Sequence, residues 1–382
     1  MGKKSNEDAV IIVTMDANKF ATDFHKCLVD TSLGTCVVSA ASAYMVLAMA
    51  ACGADGSTAR EMREALHLPD DLARIFRGFQ EFVDTINGTP KVTLNVANKI
   101  FATYKVKKSF KKITGTYFRE ESEELDLKSC AKSAKKVNDW CKKKTNGQIQ
   151  KMVNSDDMAG PYKIMLLNAV YFRGDWKHKF DPKLTKQDAF HLDKTSTVKV
   201  PMMRTTGSFY FAELNEVDAK VVALPYAITV DLFQNDDLYM VLIVPNEIDG
   251  LAEIEKNLDK IKLEHRNFEH GRSVDLSLPK FEITSVHDLK FYLVKLGMKE
   301  LFEKGASFKG ICDDNVCASV AMQKVFIKVD EGDSGKGVVS GNKSKIDSMT
   351  PDPIAFKVDR PFLFEIVDVK RKITLFFARV VR

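Results

Sequence analysis

No apolar run in this sequence approaches the roughly 18 residues that a membrane-crossing helix needs. Val10 to Thr14 (VIIVT) is also too short for the apolar heart of an export signal. The chain as read shows neither a membrane span nor a visible leader, and Met1-Gly2-Lys3-Lys4 fits a natural start as well as an initiator placed on a trimmed mature chain. Cysteine is present without a usable pattern. The seven (Cys27, Cys36, Cys52, Cys130, Cys141, Cys312, Cys317) are odd in number, so at least one is unpaired or bridges to another chain. None forms a CxxC pair and no histidine stands near Cys312 and Cys317 in sequence, which argues against zinc and leaves most of them as small buried hydrophobes. The sequence also lacks GxSxG, HExxH, a P-loop and a strand-linked GxGxxG. Its seven histidines (His25, His67, His178, His191, His265, His270, His287) are scattered without ligand spacing, and each reads better as a surface or satisfied core residue than as a catalytic one. Neither an enzyme nor a bound cofactor or metal is expected.

What is present suits a water-soluble globule with a large core: 45% of residues are apolar and 29% charged. The net charge of +5 is modest but unevenly spread. Lys105, Lys107, Lys108, Lys111 and Lys112 cluster, as do Lys128, Lys132, Lys135, Lys136, Lys142, Lys143 and Lys144. Solvated faces are the plain reading of such runs, and a surface for a sulfated polysaccharide is the sharper one. No RNA- or DNA-binding motif accompanies the lysines and interleaved aromatics are sparse, so nucleic acid is not an expected partner. Two sequons, Asn87-Gly-Thr and Asn342-Lys-Ser, are glycosylation sites only if the chain takes the secretory route.

Up to about residue 85 the patterning is helical. Ala17 to Val29 spaces Phe20, Phe24 and Cys27 by three and four, and Ser42 to Ala51 is almost wholly apolar, hence buried. Thr58 with Glu61 reads as a capping box opening a helix that runs to Leu66, and Ala73 to Ile86 is amphipathic. Lys91 to Phe101 reads as strand. Cys130 to Val153 holds a surface helix with Ala131, Ala134, Val137, Trp140 and Cys141 on one face, stopped by Asn146-Gly147. The runs IMLLNAVYF, KVVALPYA, LYMVLIVP and DLSLPKFEI are sheet strands, and Asp288 to Leu296 is a further helix. Helices first and strands later, with no strict alternation, predict an α+β fold.

A buried-type strand, VFIKVD (Val325 to Asp330), runs into a long polar stretch from Glu331 to Asp352, and then into PFLFEIVDV and ITLFFARVV. Compact domains seldom carry about 20 structureless residues between core strands unless the loop is functional. The residues on either side, DEG and DRPFLFEIVDVKRKITLFFARV, resemble the serpin family. So, in order along the chain, do AYMVLAMAACGADGSTAREMREALHLP, ANKIFATY, TNGQIQKMV, LLNAVYFRGDWKHKFDP, VPMM, LPYA with LYMVLIVP, and DLSLPKFEITSVHDLKFYLVKLGMKELF. The resemblance spans essentially the whole chain. It implies one domain over residues 1–382 with three β-sheets, about eight or nine helices, and an exposed reactive-centre loop at about 331–352.

In members that inhibit, the resemblance implies that a protease cuts the loop and is held as an acyl-enzyme while the loop inserts as a new central strand. Alternate side chains of that strand must enter the interior. Taking Glu331 as the family's hinge glutamate puts the cut between Asp347 and Ser348, with Lys345 and Ile346 as the alternative if the register slips. Ser334 fits the hinge pattern, whereas Asp333 replaces a glycine and the usual alanines give way to Gly335, Lys336, Gly337, Val338 and Val339. Lys336 shares the inward parity of Ser334, Val338 and Ser340. The family's polar cluster beneath the sheet is matched by Ser39, Ser42 and Asn168, with Gln323 where histidine is usual, and Trp176 matches the aromatic at the top of the sheet. The expected function is inhibition of a serine or cysteine protease by a pseudosubstrate loop. The alternative is a non-inhibitory binding, chaperone or storage role, because the hinge is atypical. The expected form is a secreted monomeric glycoprotein with its leader removed, the alternative location being the cytoplasm.

Overall fold

The computed structural model describes residues 2–31, 34–87, 92–126, 129–158, 164–227, 238–261, 271–332 and 352–382. Helix α1 (Gly2–Val29) begins well before the Ala17 that periodicity suggests, and it buries Val13, Ala17, Phe20, Phe24 and Leu28 on one side. Short strand β1 (Cys36–Val38) leads to α2 (Ala40–Ala51), whose every residue is buried, as its lack of a polar face requires. Helix α3 (Gly56–Ala65) is capped by Asp55, whose Oδ1 accepts from Gly56 N at 2.8 Å, and not by the Thr58–Glu61 pair. Those two side chains turn to a neighbour: Glu61 accepts from Lys299 N and Glu300 N, both at 2.8 Å, and Thr58 Oγ1 accepts from Ser307 N at 3.0 Å. The capping signal was spent on docking because unmet backbone donors lay within reach.

Helix α4 (Phe76–Asn87) precedes β2 (Val92–Ala102), α5 (Lys108–Tyr117), the two-residue β3 (Glu123–Glu124) and α6 (Cys130–Lys144). Asn146 and Gly147 take left-handed φ of 51° and 79°, ending α6 as expected. The chain then crosses the sheet as a strap over residues 148–158. Strand β4 (Ile164–Gly174) is followed by β5 (Lys186–His191), the long β6 (Thr197–Leu214), β7 (Ala219–Pro225), β8 (Leu238–Pro245) and α7 (Leu251–Lys256). Next come β9 (Gly271–Pro279), β10 (Phe281–Asp288), α8 (Leu289–Lys295), β11 (Ala318–Val329), β12 (Ile354–Lys357), β13 (Phe362–Asp368) and β14 (Ile373–Val380).

Among the described residues the strands form a five-stranded sheet, β10-β11-β4-β2-β3, and a nine-stranded set, β1-β14-β13-β8-β7-β6-β9-β12 with β5 on β6. The latter is two sheets joined through β6, whose Met202–Tyr210 pairs with β9 while Tyr210–Leu214 pairs with β7. The run DLSLPKFEI, continuous in sequence, breaks at Pro279-Lys280 and sends β9 and β10 to different sheets.

Alternation splits the five-stranded sheet into two faces. Ile100, Leu166, Val170, Val325 and Ile327 join the main core with α2. On the opposite face Phe101, Met165, Leu167 and Ala169 pack under α6 and its strap, with Trp140 edge-on to Phe101 at 5.8 Å.

Candidate functional site at the seam of the five-stranded sheet

At the centre of the five-stranded sheet β4 and β11 run parallel, Ala318–Ile327 against Ile164–Phe172. Their outer neighbours are antiparallel, β2 to β4 and β10 to β11. A parallel ladder is slightly weaker per residue than an antiparallel one. The seam is thus the one central place where a further strand, antiparallel to both flanks, could enter.

Four polar residues cross this seam in register on the core-facing side: Asn98 on β2, Asn168 on β4, Gln323 on β11 and His287 on β10. All four are buried. Gln323 Oε1 accepts from Ser39 N at 3.0 Å, and its Nε2 donates to Ser39 O at 2.8 Å and to Asn168 Oδ1 at 2.6 Å. Asn168 Nδ2 donates in turn to Ser42 Oγ and, at 2.7 Å, to Asn98 Oδ1. Ser39 caps α2 and its Oγ donates to Leu375 O at 2.7 Å. Ser39, Ser42, Asn168 and Gln323 are therefore brought together, and Gln323 uses both donors and its acceptor, one donor across the seam to Asn168 and the other two groups on the backbone of Ser39 at the start of α2.

Two members escaped the sequence reading. Asn98 sits at the parity that faces the core, and His287 is one strand beyond the expected histidine position. His287 Nε2–H donates to Val37 O at 2.8 Å. Burial holds its pKa below the ordinary histidine value despite that bond, so the imidazole is neutral. The reading of His287 as a satisfied core histidine stands.

The seam's top is closed by a second set. Trp176 stacks on Tyr226 at 4.5 Å, and its Nε1–H donates to Asp330 O at 2.8 Å, so it is both core packing and a tie on the end of β11. Glu331 Oε1 accepts from Thr185 Oγ1 at 2.9 Å, and its Oε2 meets Lys280 Nζ at 2.7 Å. Burial pushes the Glu331 pKa up, but the bonds from Lys280 and Thr185 outweigh it and leave the carboxylate below its usual range. Gly332 follows at φ 87°, a conformation that favours glycine, with its N–H on Asp330 Oδ1 at 3.0 Å. Lys280 and Thr185 carried no recognisable signal, since their role depends on the corner between β9 and β10 and on the turn before β5.

The remaining hinge residues Asp333, Ser334 and Lys336, the bond Asp347–Ser348, its alternative Lys345 and Ile346, and Asn342 lie outside the described residues. Asn87 is exposed at the end of α4, its Oδ1 accepting from Val96 N at 3.1 Å. Of the lysine cluster, Lys107 pairs with Asp313 at 2.7 Å and Lys111 with Glu124 at 3.0 Å, while Lys105, Lys108 and Lys112 are exposed. No group of three or more metal-ligating side chains occurs among the described residues.

A profile of the serpin family (serine protease inhibitor) matches residues 15–382. The chain is a serpin. Antichymotrypsin-2 of Bombyx mori is 30% identical over 336 residues, 86% of this chain and 87% of that protein. Serine protease inhibitor 42Dd of Drosophila melanogaster is 31% identical over 347 residues, 89% of each. The crystal structure of Serpin48, described as a highly specific serpin of Tenebrio molitor, superposes with a TM-score of 0.84 at 28% identity, covering 97% of this chain and 98% of that one. Uncleaved ovalbumin gives the same TM-score at 22% identity, a likeness of fold alone. The serpin fold is α+β, as expected, and relatives of this serpin are named as protease inhibitors.

Proposed function

We propose that this serpin inhibits a serine or cysteine protease by offering the segment Lys345-Ile346-Asp347-Ser348 as a pseudosubstrate, with Asp347–Ser348 the bond attacked. The observation that carries the reading is the parallel β4–β11 pair, with the loop leaving the end of β11 beside it. A strand folding back from Glu331 would lie antiparallel to both flanks and exchange one parallel ladder for two antiparallel ones. Solvated loop backbone would gain a full set of ladder bonds, and this drives insertion. The deacylation of the held protease competes with that step. Incubation with a panel of serine and cysteine proteases is expected to give a covalent band stable in SDS, and mass spectrometry of the released peptide to place the cut after Asp347. Inhibition that survives combined Lys345→Ala, Ile346→Ala and Asp347→Ala changes would remove the loop as bait.

A non-inhibitory reading is favoured by one feature, the ammonium of Lys336 at an inward parity. In that case the same protease panel cleaves the loop and forms no covalent band.

The exposed Lys105, Lys108 and Lys112 support weak binding of sulfated polysaccharide, smaller than the full lysine count suggests because Lys107 and Lys111 are already paired. Retention on immobilised heparin at low salt is expected, with release as ionic strength rises. Flow-through at low salt removes this partner. The two sequons and a secreted, glycosylated form remain part of the proposal, tested by glycosidase treatment of protein from its natural source.

A further inference from the structure

Gln323 ties β11 to β4 on the core side of the seam, and strand parity gives the outer side to the alternate residues. In the upper part of the seam these are Ala169 with Lys324, Tyr171 with Phe326 and, one step past the last ladder pair, Arg173 with Lys328. Arg173 and Lys328 carry like charge, and each reaches Asp330 at 3.7 Å, so that row closes through a third group at the limit of ion-pair distance. Lys324 turns to the strap, its Nζ donating to Lys151 O at 2.6 Å, and not to β4. Tyr171 and Phe326 meet directly across the seam, with ring centroids 5.6 Å apart and planes 28° from parallel.

The full row runs Asn95, Tyr171, Phe326 and Thr284 across β2, β4, β11 and β10. Its outer members are polar, so along the row each ring has the other as its apolar neighbour. Tyr171 is 6% exposed, and Phe326 is partly buried and also touches the cluster under α6. A strand entering the seam would add one strand spacing of about 4.8 Å and take the centroids to roughly 10 Å, outside the range in which aromatic pairs interact. By the parity that turns Lys336 inward, the loop residues facing outward there are Asp333, Gly335, Gly337 and Val339. The two glycines bring no ring in exchange. A strand that starts from Glu331 also reaches the row of Phe326 before that of Gln323, so this contact parts first.

We propose that the Tyr171–Phe326 stack is the outer fastener of the seam, and that its breaking sets how fast a strand enters. A stacked aromatic pair contributes roughly two- to tenfold in an equilibrium constant beyond the area it buries. The stack acts by positioning β4 against β11, and neither ring is placed to touch a protease. Its effect on strand entry rests on the inhibitory reading, but the fastening itself is a property of the intact protein.

Hydrogen exchange on the intact chain, read by mass spectrometry over peptides covering 168–173 and 323–328, tests the fastening. Tyr171→Leu and Phe326→Leu are each expected to speed exchange on both strands about fivefold. The double variant is expected to exchange no faster than either single one, because both changes remove the same contact. Tyr171→Phe keeps both rings and is expected to match the parent. Single effects that multiply in the double variant, or that stay on the altered strand, belong to local packing and overturn the proposal. Should a leucine variant not fold, Phe326→Tyr and Phe326→Met carry the comparison, with exchange as in the parent for the first and faster for the second. A synthetic peptide of residues 333–346 carrying Lys336→Ala, fluorescently labelled, is the probe for strand entry. Phe326→Leu is expected to take it up about fivefold faster than the parent, and Tyr171→Phe at the parent rate. Equal uptake by the parent and Phe326→Leu overturns the rate-setting role. If no form takes up the peptide, the insertion reading fails, while the double-variant exchange in the intact chain still decides the fastening.

Discussion

Loop cleavage is expected to raise the melting temperature of the unmodified protein only slightly, and Lys336→Ala is expected to raise the cleaved form by about a further 10 °C while leaving the intact form nearly unchanged. The physical cause is the face that an inserting strand must enter. Val170, Phe172, Val325 and Ile327 line the core side of the seam, and each is buried. None of these side chains can accept a hydrogen bond. At the parity of Ser334 and Val338, the Lys336 ammonium would be drawn among them at a cost of several kcal/mol after relaxation, on the order of what an unpaired buried charge costs. The cost arises only on insertion, so in the intact protein the same substitution has little to relieve. Differential scanning calorimetry of intact and cleaved protein, with and without Lys336→Ala, measures the four states. A large rise on cleavage of the unmodified protein would show that Lys336 does not oppose insertion.

The second large effect is expected at Gln323. Gln323→Leu leaves Ser39 N and Asn168 Oδ1 without the partner they have in Gln323, while Ser39 O keeps its bond from Ala43 N at 3.0 Å. Each buried group so orphaned costs about 1–3 kcal/mol, and the two belong to one network, so the sum is not additive. A loss of several kcal/mol is expected, seen as a fall in melting temperature and as faster amide exchange on both β4 and β11. Gln323→His should fall between, since neutral imidazole has one donor and one acceptor and can replace at most two of the three bonds. A Gln323→Leu protein as stable as the parent would mean that the amide is not the fastener of this seam. Asn98→Ala provides a check one strand away: it removes one bond to Asn168 and leaves the Gln323 links intact, so a smaller effect is expected.

These two predictions draw on different sources. The expected hazard at Lys336 rests on the family resemblance, which supplies Glu331 as the starting point, and on strand parity, which chain geometry fixes from there. The fastening at Gln323 was legible only in part. Ser39, Ser42, Asn168 and Gln323 were recognised through resemblance, but Asn98 and His287 were not, because a single polar residue in an apolar strand carries no mark of which strand will lie beside it. The capping-box reading at Thr58 and Glu61 went astray for a related reason: the local pattern was real, and the same side chains found better use against Ser307, Lys299 and Glu300.

By itself the sequence determined the α+β class, the buried α2, the strands β2, β4, β7, β8, β11, β13 and β14, and the polar connection from Glu331 to Asp352. All of these follow from composition, periodicity or local backbone preference, which act over a few neighbouring residues. Tertiary structure alone decided that β4 and β11 are parallel neighbours, that DLSLPKFEI divides between two sheets, that Glu331 rests on Lys280, and that two of the five lysines beside α5, Lys107 and Lys111, are already paired. Such facts depend on which segments, far apart in the chain, come to share one surface. That choice is made by burying two apolar faces of one sheet at once, and no local pattern encodes it.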